Sequence, residues 1–175
     1  GFWQVHPEAA KTLVSAVLEA AQVEAGDRVL DLYAGAGLFS VFLAEACAPG
    51  ELLSVEGNRT ASADAKKNLA KNSNAVTVHA PVERALNRGL LGDSADIVVL
   101  DPPRAGAKQA VSAIAALSPR KIVYVACDPA ALARDIASFA ELGYELESLR
   151  AFALFPMTHH VECVALLVRV GSGLR

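Results

Sequence analysis

The sequence has few cysteines, no long apolar run and no strong excess of charge of one sign. Its 175 residues include only Cys47, Cys127 and Cys163, and no C-x-x-C pair. This odd number argues against a disulfide framework and a zinc site, so we expect a reducing, cytoplasmic environment and no bound metal. No segment approaches the roughly 20 uncharged residues of a membrane span. The opening GFWQVHPEAA lacks a basic stretch followed by an apolar one, so no signal peptide is expected.

The formal net charge is −3, so the chain lacks the overall basic character that many nucleic-acid-binding proteins carry. This weighs against an isolated nucleic-acid-binding module. It does not weigh against an enzyme that acts on nucleic acid through a binding surface supplied elsewhere. With 53% hydrophobic residues and no repeat, linker or low-complexity tract, residues 1–175 are predicted to form one monomeric globular domain.

Apolar, β-rich runs alternate with helical patterns along most of the chain. Five runs are interpreted as buried strands: 28–33, 51–57, 75–80, 96–101 and 121–127. Helical spacing is found at 7–22, 58–72, 107–117 and after residue 129. This alternation predicts an α/β protein whose mostly parallel sheet carries helices on both faces.

The C-terminal part departs from this alternation. Residues 144–154 and 159–170 are two strand-like runs with no room between them for a crossover helix. Strands joined so closely pair antiparallel. We therefore predict seven strands in all, with an antiparallel strand near the C-terminus.

A glycine-rich turn, LDLYAGAGLFS, leads from the first strand into a helix. Asp31 lies at the strand end, and Gly35 and Gly37 allow a sharp turn and close approach to a ligand. Ser40 stands where a dinucleotide-binding fingerprint has its third glycine, so the pattern D-x-x-x-G-x-G favours an S-adenosylmethionine site over an NAD site. Glu56 ends the next strand and can accept both ribose hydroxyls. The alternative is a structural turn with a solvated glutamate.

The segment IVVLDPPRAG places Asp101 at the carboxyl end of the fourth strand, where open α/β sheets bind ligands. The two prolines stiffen the loop that follows. Arg104 takes the place of the aromatic residue found in related loops of amino-methyltransferases, which argues against exocyclic-amine chemistry. Asp101 is therefore predicted to contact cofactor or substrate, with a simple strand end as the alternative.

The segment YVACDPAALARD places Cys127 at the end of the fifth strand. Asp128 is a favourable N-cap and Pro129 a favourable first helical residue, so a helix is predicted to begin directly after the thiol. The helix dipole is expected to lower the pKa of Cys127, with Asp128 partly opposing it. A buried structural cysteine is the alternative.

Together these segments resemble the catalytic domain of the RNA uracil-C5-methyltransferases, which make 5-methyluridine in transfer RNA and ribosomal RNA. The motifs that carry the resemblance are FWQ (2–4), DLYAGAGLFS (31–40), DPPRAG (101–106), YVACDPAALARD (124–135) and FPMTHHVECV (155–164). The resemblance implies a Rossmann-like class I methyltransferase fold, S-adenosylmethionine as cofactor and structured RNA as substrate. The family's N-terminal RNA-binding parts are absent from this sequence.

The resemblance also assigns catalytic roles. Cys127 would attack carbon 6 of uracil, and Glu162 would remove the carbon-5 proton after methyl transfer. Glu162 interrupts an apolar strand, where an unpaired carboxylate is costly. An edge-strand glutamate facing water is the alternative. His159 and His160 have no third metal ligand nearby in sequence and are interpreted as loop residues or as residues that orient the site.

For the cofactor, the resemblance implies a set of contacts along the carboxyl ends of the strands. These are Gln4, Tyr33, Gly35, Gly37, Leu38, Glu56 and Asp101. Three positions depart from the family pattern. Leu38 replaces a common asparagine, Pro81 stands where an acidic or amide side chain often contacts adenine, and Asp128 changes the commoner SCNP to ACDP.

Two other functions are compatible with the sequence. One is a methyltransferase for another class of substrate, with Cys127 merely structural. The other is a non-catalytic module that binds the cofactor or RNA.

Overall fold

The structure, a computed structural model, describes residues 7–154 and 161–171. It contains a seven-stranded sheet in the order β3-β2-β1-β4-β5-β7-β6. The strands are β1 (Val29–Leu32), β2 (Leu52–Glu56), β3 (Ala75–His79), β4 (Ile97–Leu100), β5 (Lys121–Ala126), β6 (Tyr144–Phe152) and β7 (Glu162–Arg169). The helices are α1 (Pro7–Ala21), α2 (Leu38–Cys47), α3 (Arg59–Asn68), α4 (Val82–Asn87), α5 (Val111–Ala116) and α6 (Pro129–Glu141), with a 3₁₀ turn at Lys108–Ala110.

Strands β1 to β5 are parallel, and β7 alone runs against its neighbours, β5 and β6. This confirms the predicted mostly parallel sheet with an antiparallel C-terminal strand. β7 lies inside the sheet, and five consecutive residues, 163–167, are buried. β6 forms the outer edge and is exposed over most of its length.

The other edge strand, β3, corrects one expectation. The sequence pattern of 75–80 predicted a buried strand, but no residue of β3 is fully buried and Val76 is 45% exposed. β3 pairs only with β2, so one side of its backbone faces outward. Hydrophobic composition alone does not distinguish an edge strand from a central one.

Apolar side chains on the two faces of the sheet form two hydrophobic layers. Leu30, Leu100 and Tyr124 belong to the layer that packs under α4, α5 and α6. Val29 and Val99 belong to the opposite layer, which packs under α1 and α2. Because side chains alternate along a strand, the central strands bury both of their faces, as the continuous apolar runs predicted. None of the described helices is long and apolar enough to cross a membrane.

Candidate active site

The candidate site lies along one edge of the sheet, which we call the carboxyl edge because β1, β2, β4 and β5 end there. The glycine-rich turn follows β1, Glu56 ends β2, Asp101 follows β4 and Cys127 follows β5. β7 runs in the opposite direction, so its first residue, Glu162, begins at the same edge. The parallel topology thus brings together residues that are far apart in the sequence.

The turn between β1 and α2 has an unusual backbone. Tyr33, Gly35 and Gly37 all adopt positive φ, of 59°, 59° and 88°. A Cβ added to Gly35 would meet no heavy atom within 4 Å, so the turn presents an open backbone face. Gly37 caps α2 without a side-chain hydrogen bond. The first N–H groups of α2 therefore supply donors and a positive dipole end at this edge.

Glu56 stabilises this turn. One carboxylate oxygen accepts the Gly35 N–H at 2.8 Å, and the other accepts the Asn58 N–H at 2.7 Å. A carboxylate has about four acceptor positions, so Glu56 retains capacity for ribose hydroxyls. The structure is compatible with the predicted contact and adds a role in shaping the turn.

Asp31 is a site residue that was not among the cofactor contacts predicted from the sequence. Its side chain is fully buried, and Oδ2 accepts a hydrogen bond from Ser40 Oγ at 2.6 Å. In the described part of the chain, the buried Oδ1 has no hydrogen-bond partner. Burial raises the pKa of Asp31 to about 7, against the effect of the Ser40 hydrogen bond, and the charge of Glu56 raises it further. The sequence feature that could have identified Asp31 as a site residue is its place as the first residue of the D-x-x-x-G-x-G pattern.

Three further predicted positions lie around the turn. The Tyr33 hydroxyl donates to Glu83 of α4, and burial, followed by this hydrogen bond, raises the pKa of Tyr33. Glu83 was not predicted from the sequence. Leu38 begins α2 and packs against the apolar layer under that helix, while Pro81 is exposed and precedes α4. Gln4 lies outside the described residues.

Asp101 lies where β4 ends, and its N–H donates to Leu32 O at 3.2 Å. As a whole the residue is partly buried. Burial raises the pKa of Asp101 well above its usual value, and the negative charges of Glu162 and Asp31 add to the effect. Three acidic side chains therefore act on one another at the carboxyl edge.

Cys127 is partly exposed, whereas Cys47 and Cys163 are buried. The expected lowering of its pKa is wrong. Burial raises the pKa of Cys127 and the negative charge of Glu162 raises it further, while the positive charge of Arg104 opposes them.

The helix terminus beside the thiol is capped by a side chain. Asp128 is the N-cap of α6 and accepts hydrogen bonds from the Ala130 N–H at 2.9 Å and the Ala131 N–H at 3.3 Å. Its carboxylate therefore takes donors that could otherwise stabilise a thiolate. The helix begins at Pro129, as predicted.

Glu162 begins β7 rather than interrupting its interior. The final pair of the β5–β7 ladder joins Ala126 to Cys163, so Glu162 and Cys127 occupy the next position in register. β7 lies between β5 and β6, which removes the alternative of an edge strand. The partly buried Glu162 is thus a neighbour of the candidate nucleophile.

In residues 7–154 and 161–171, no three His, Cys, Asp or Glu side chains are grouped so as to hold a metal ion. His159 and His160 lie outside those ranges.

The strand order and this site define the class of protein. The fold is that of the class I methyltransferases, and a precorrin-6y C5,15-methyltransferase from Geobacter metallireducens superposes with a TM-score of 0.77. That likeness covers 90% of this chain and 87% of the other, at 16% identity, and shows the fold alone.

The family follows from closer matches. The chain belongs to the tRNA (uracil-5-)-methyltransferase family, whose model matches residues 1–170. A structure of the tRNA (uracil-54, C5)-methyltransferase of Pyrococcus abyssi, in complex with S-adenosyl-L-homocysteine, has a TM-score of 0.75. It is 30% identical and is matched over 96% of this chain and 40% of its own.

Curated relatives agree with this assignment. An uncharacterized RNA methyltransferase of Streptomyces avermitilis is 51% identical over 99% of this chain and 40% of its own length. The 23S rRNA (uracil(1939)-C(5))-methyltransferase of Shewanella sp. (strain ANA-3) is 40% identical over 94% of this chain and 37% of its own. The chain thus spans about 40% of the length of these relatives.

Proposed function

We propose that this chain is the catalytic domain of an S-adenosylmethionine-dependent methyltransferase that modifies carbon 5 of uridine in structured RNA. The observation that carries the proposal is the placement of Cys127, directly after β5, in register beside Glu162, the first residue of the neighbouring β7, on the same edge of the sheet as the glycine-rich turn. A nucleophile and a carboxylate base are the two side chains that this reaction requires.

The residues at the turn fit the cofactor. Glu56 would accept ribose hydroxyls, and the buried Oδ1 of Asp31, which has no partner among the described residues, would accept a polar hydrogen of the ligand. The open face at Gly35 leaves room for close approach. When bound, S-adenosylmethionine supplies a methyl group on an electrophilic sulfonium.

Cys127 is assigned the first chemical step. Carbon 5 of uracil is a weak nucleophile, and addition of the Cys127 thiolate to carbon 6 moves the ring electrons toward the carbon-4 carbonyl oxygen. The resulting enolate is nucleophilic at carbon 5. Because the thiol pKa is raised, the thiol must first lose its proton, and adduct formation is expected to accelerate with pH above neutrality.

Glu162 is assigned the final step. After methylation, carbon 5 carries both the methyl group and a hydrogen. The Glu162 carboxylate takes that hydrogen as a proton, the C–H electrons re-form the carbon 5–carbon 6 double bond, and the carbon 6–sulfur bond breaks. Cys127 leaves as a thiolate, ready for another cycle.

The RNA itself is either transfer or ribosomal RNA, since named relatives act on each. The uridine would have to be flipped out of its stack to reach Cys127. With a net charge of −3, this chain alone should bind RNA weakly and with steep salt dependence. We further infer a cytoplasmic monomer comprising one domain over residues 1–175, without a metal ion.

The test is mass spectrometry after incubation with S-adenosylmethionine and RNA that contains 5-fluorouridine. Fluorine cannot leave as a proton, so the reaction should stop at a covalent adduct that maps to Cys127. Cys127→Ala should abolish the adduct. Cys163→Ala, which removes the buried neighbouring thiol, is the matched control and should retain it.

Glu162→Gln tests the second assignment on ordinary uridine. The variant should add the methyl group but fail to release the RNA, so a methylated adduct should accumulate. If Cys127→Ala retains methylation, or if confirmed cofactor binding is accompanied by no adduct even with an RNA-binding domain fused to the chain, the proposed function is wrong.

A further inference from the structure

A buried hydrogen-bond network joins helix α6 to the loop of residues 101–107. Asp135 of α6 is fully buried, and its Oδ2 accepts the Ala107 N–H at 2.8 Å. The same oxygen accepts the hydroxyl of Tyr124 in β5 at 2.6 Å. One carboxylate thus connects the loop, the helix and the central sheet.

Arg134 extends the network to a second point of the loop. Its Nε and Nη2 donate to Asp135 Oδ1 at 3.1 and 3.0 Å, and Nη2 also donates to Ala105 O at 2.8 Å. Arg134 and Asp135, with their bonds to Ala105 and Ala107, are called here the Arg134–Asp135 clamp. The planar guanidinium donates to both acceptors from two nitrogens in fixed positions, whereas a lysine would have to reach both from a single nitrogen.

Gly106, between the two clamped residues, supports the same interpretation. Its φ is +86°, and an added Cβ would lie 2.8 Å from Asp135 Oδ2 and 3.1 Å from Ala131 Cβ. Only glycine allows the loop to approach the clamp this closely. The glycine of the DPPRAG motif thereby receives a physical explanation.

The helix that carries the clamp also begins at the candidate nucleophile. Cys127 directly precedes the Asp128 cap of α6, and the loop carries Asp101 at its start and Arg104 at its centre. The other end of the loop is fixed by the bond from Asp101 N–H to Leu32 O. One helix is therefore joined both to the residue that carries the thiol and to the loop of residues 101–107.

We propose that Arg134 and Asp135 are positioning residues that hold the loop of residues 101–107, which carries Asp101 and Arg104 and follows β4, beside the end of the neighbouring β5 where Cys127 lies. This inference rests on the proposed role of Cys127 as nucleophile. The clamp itself touches no reacting atom. It acts through Arg104, the nearby positive charge that opposes Glu162 and Asp101 at the thiol.

The test measures the rate of Cys127 alkylation by iodoacetamide against pH, with the modified peptide identified by mass spectrometry. Arg134→Lys, at a side chain 43% exposed, should fold normally yet lose one of its two acceptors. Without Arg104 in place, the apparent pKa of Cys127 should rise and the alkylation rate at pH 7.5 should fall by about threefold. Arg104→Gln should give the same change.

The double variant R104Q/R134K decides whether the clamp acts through Arg104. It should be no slower than R104Q alone, because a lost interaction cannot be lost twice. Arg120→Lys is the matched control. It weakens another two-point Arg–Asp contact, with Asp27, where the parallel strands begin, at the opposite edge of the sheet from Cys127, and it should leave the dependence of the alkylation rate on pH unchanged.

Two outcomes would refute the proposed positioning role. One is an alkylation rate of R134K that matches that of the parent chain at every pH. The other is a double variant whose reduction in rate is the product of the two single reductions. The assay needs neither RNA nor methyl donor. A positive result, together with no methylation even when an RNA-binding domain is fused to the chain, would therefore refute the proposed function while leaving the positioning role intact.

Discussion

The two edges of the sheet differ in whether their acidic side chains are paired with basic ones. At the amino edge, where the parallel strands begin, Arg120 donates to both oxygens of Asp27 at 2.8 and 2.5 Å, and Arg28 pairs with Glu51 at 3.1 Å. At the carboxyl edge, neither Asp31 nor Asp101 forms an ion pair within residues 7–154 and 161–171.

The pKa values follow this difference. The hydrogen bond from Arg120 lowers the pKa of Asp27 despite its burial, whereas burial raises the pKa of Asp31 to about 7. An acid with a lowered pKa stabilises the fold at neutral pH, and one with a raised pKa opposes it. The comparison teaches that the amino edge contributes stability, while the carboxyl edge gives up stability to keep acceptors available for ligands.

Asp31→Asn should produce the largest change in the free energy of unfolding. The folded chain holds its proton on Asp31 up to about pH 7, against 3.8 for the unfolded chain, so stability is lost as pH rises between these values. A difference of about three pKa units corresponds to at most about 4 kcal/mol. After allowance for a buried amide, we expect the substitution to stabilise the chain by about 3 kcal/mol at pH 8.

Urea unfolding at pH 8 and at pH 4 tests this prediction. The gain in stability should be largely absent at pH 4, because that pH is close to the unfolded pKa of 3.8 and Asp31 is then mostly uncharged in the folded chain and only partly charged in the unfolded one. Equilibrium dialysis with S-adenosylhomocysteine should at the same time show weaker binding. A variant that is less stable than the parent at pH 8 would contradict the account of the carboxyl edge.

Asp27→Asn should have the opposite effect, of intermediate size. It removes a charge-assisted, two-point contact with Arg120, so we expect a loss of about 2 kcal/mol at pH 7. Because the folded pKa is lowered, this stabilisation is present above the unfolded value of 3.8 and disappears as pH falls through the folded pKa. Thermal unfolding from pH 7 down to pH 2.5 should show the two curves converging.

Arg120→Met provides the control for that contact, since it removes the other partner and should give a similar loss. Equal stability of the parent and Asp27→Asn at pH 7 would show that the amino edge does not depend on its ion pair.

Glu51→Gln should have the smallest effect. The side chains of Arg28 and Glu51 are 28% and 48% exposed, so solvent screens their attraction. We expect a change below about 0.5 kcal/mol, and less at roughly 0.5 M salt, by chemical denaturation. A loss as large as that of Asp27→Asn would erase the distinction between buried and exposed pairs at this edge.

Much of the fold could be predicted from local pattern. The apolar runs predicted all seven strands, and Asp128–Pro129 predicted the start of α6, because capping and burial on both faces leave local signals. Local sequence patterns gave no signal for two features: the insertion of β7 between β5 and β6, and the exposure of β3. Strand order depends on pairing between distant segments, which periodicity does not record.

The site divides in the same way. The sequence indicated Cys127, Glu56 and Asp101 from their places at strand ends, and the structure brings these to one edge. The direction of the Cys127 pKa shift was wrong because local reasoning counted the helix dipole but not burial or Glu162. The Arg134–Asp135 clamp was missed because its partners, Ala105 and Ala107, contribute only backbone atoms.

The sequence by itself determined the α/β alternation, the glycine-rich turn, the family resemblance and the residues that carry the proposed chemistry, because each depends on neighbours within a few positions. Only the tertiary structure decided which acids are paired, where the pKa values lie and which helix holds the loop of residues 101–107. Those properties arise from burial and from charges contributed by other strands, and electrostatic interactions act through space rather than along the chain.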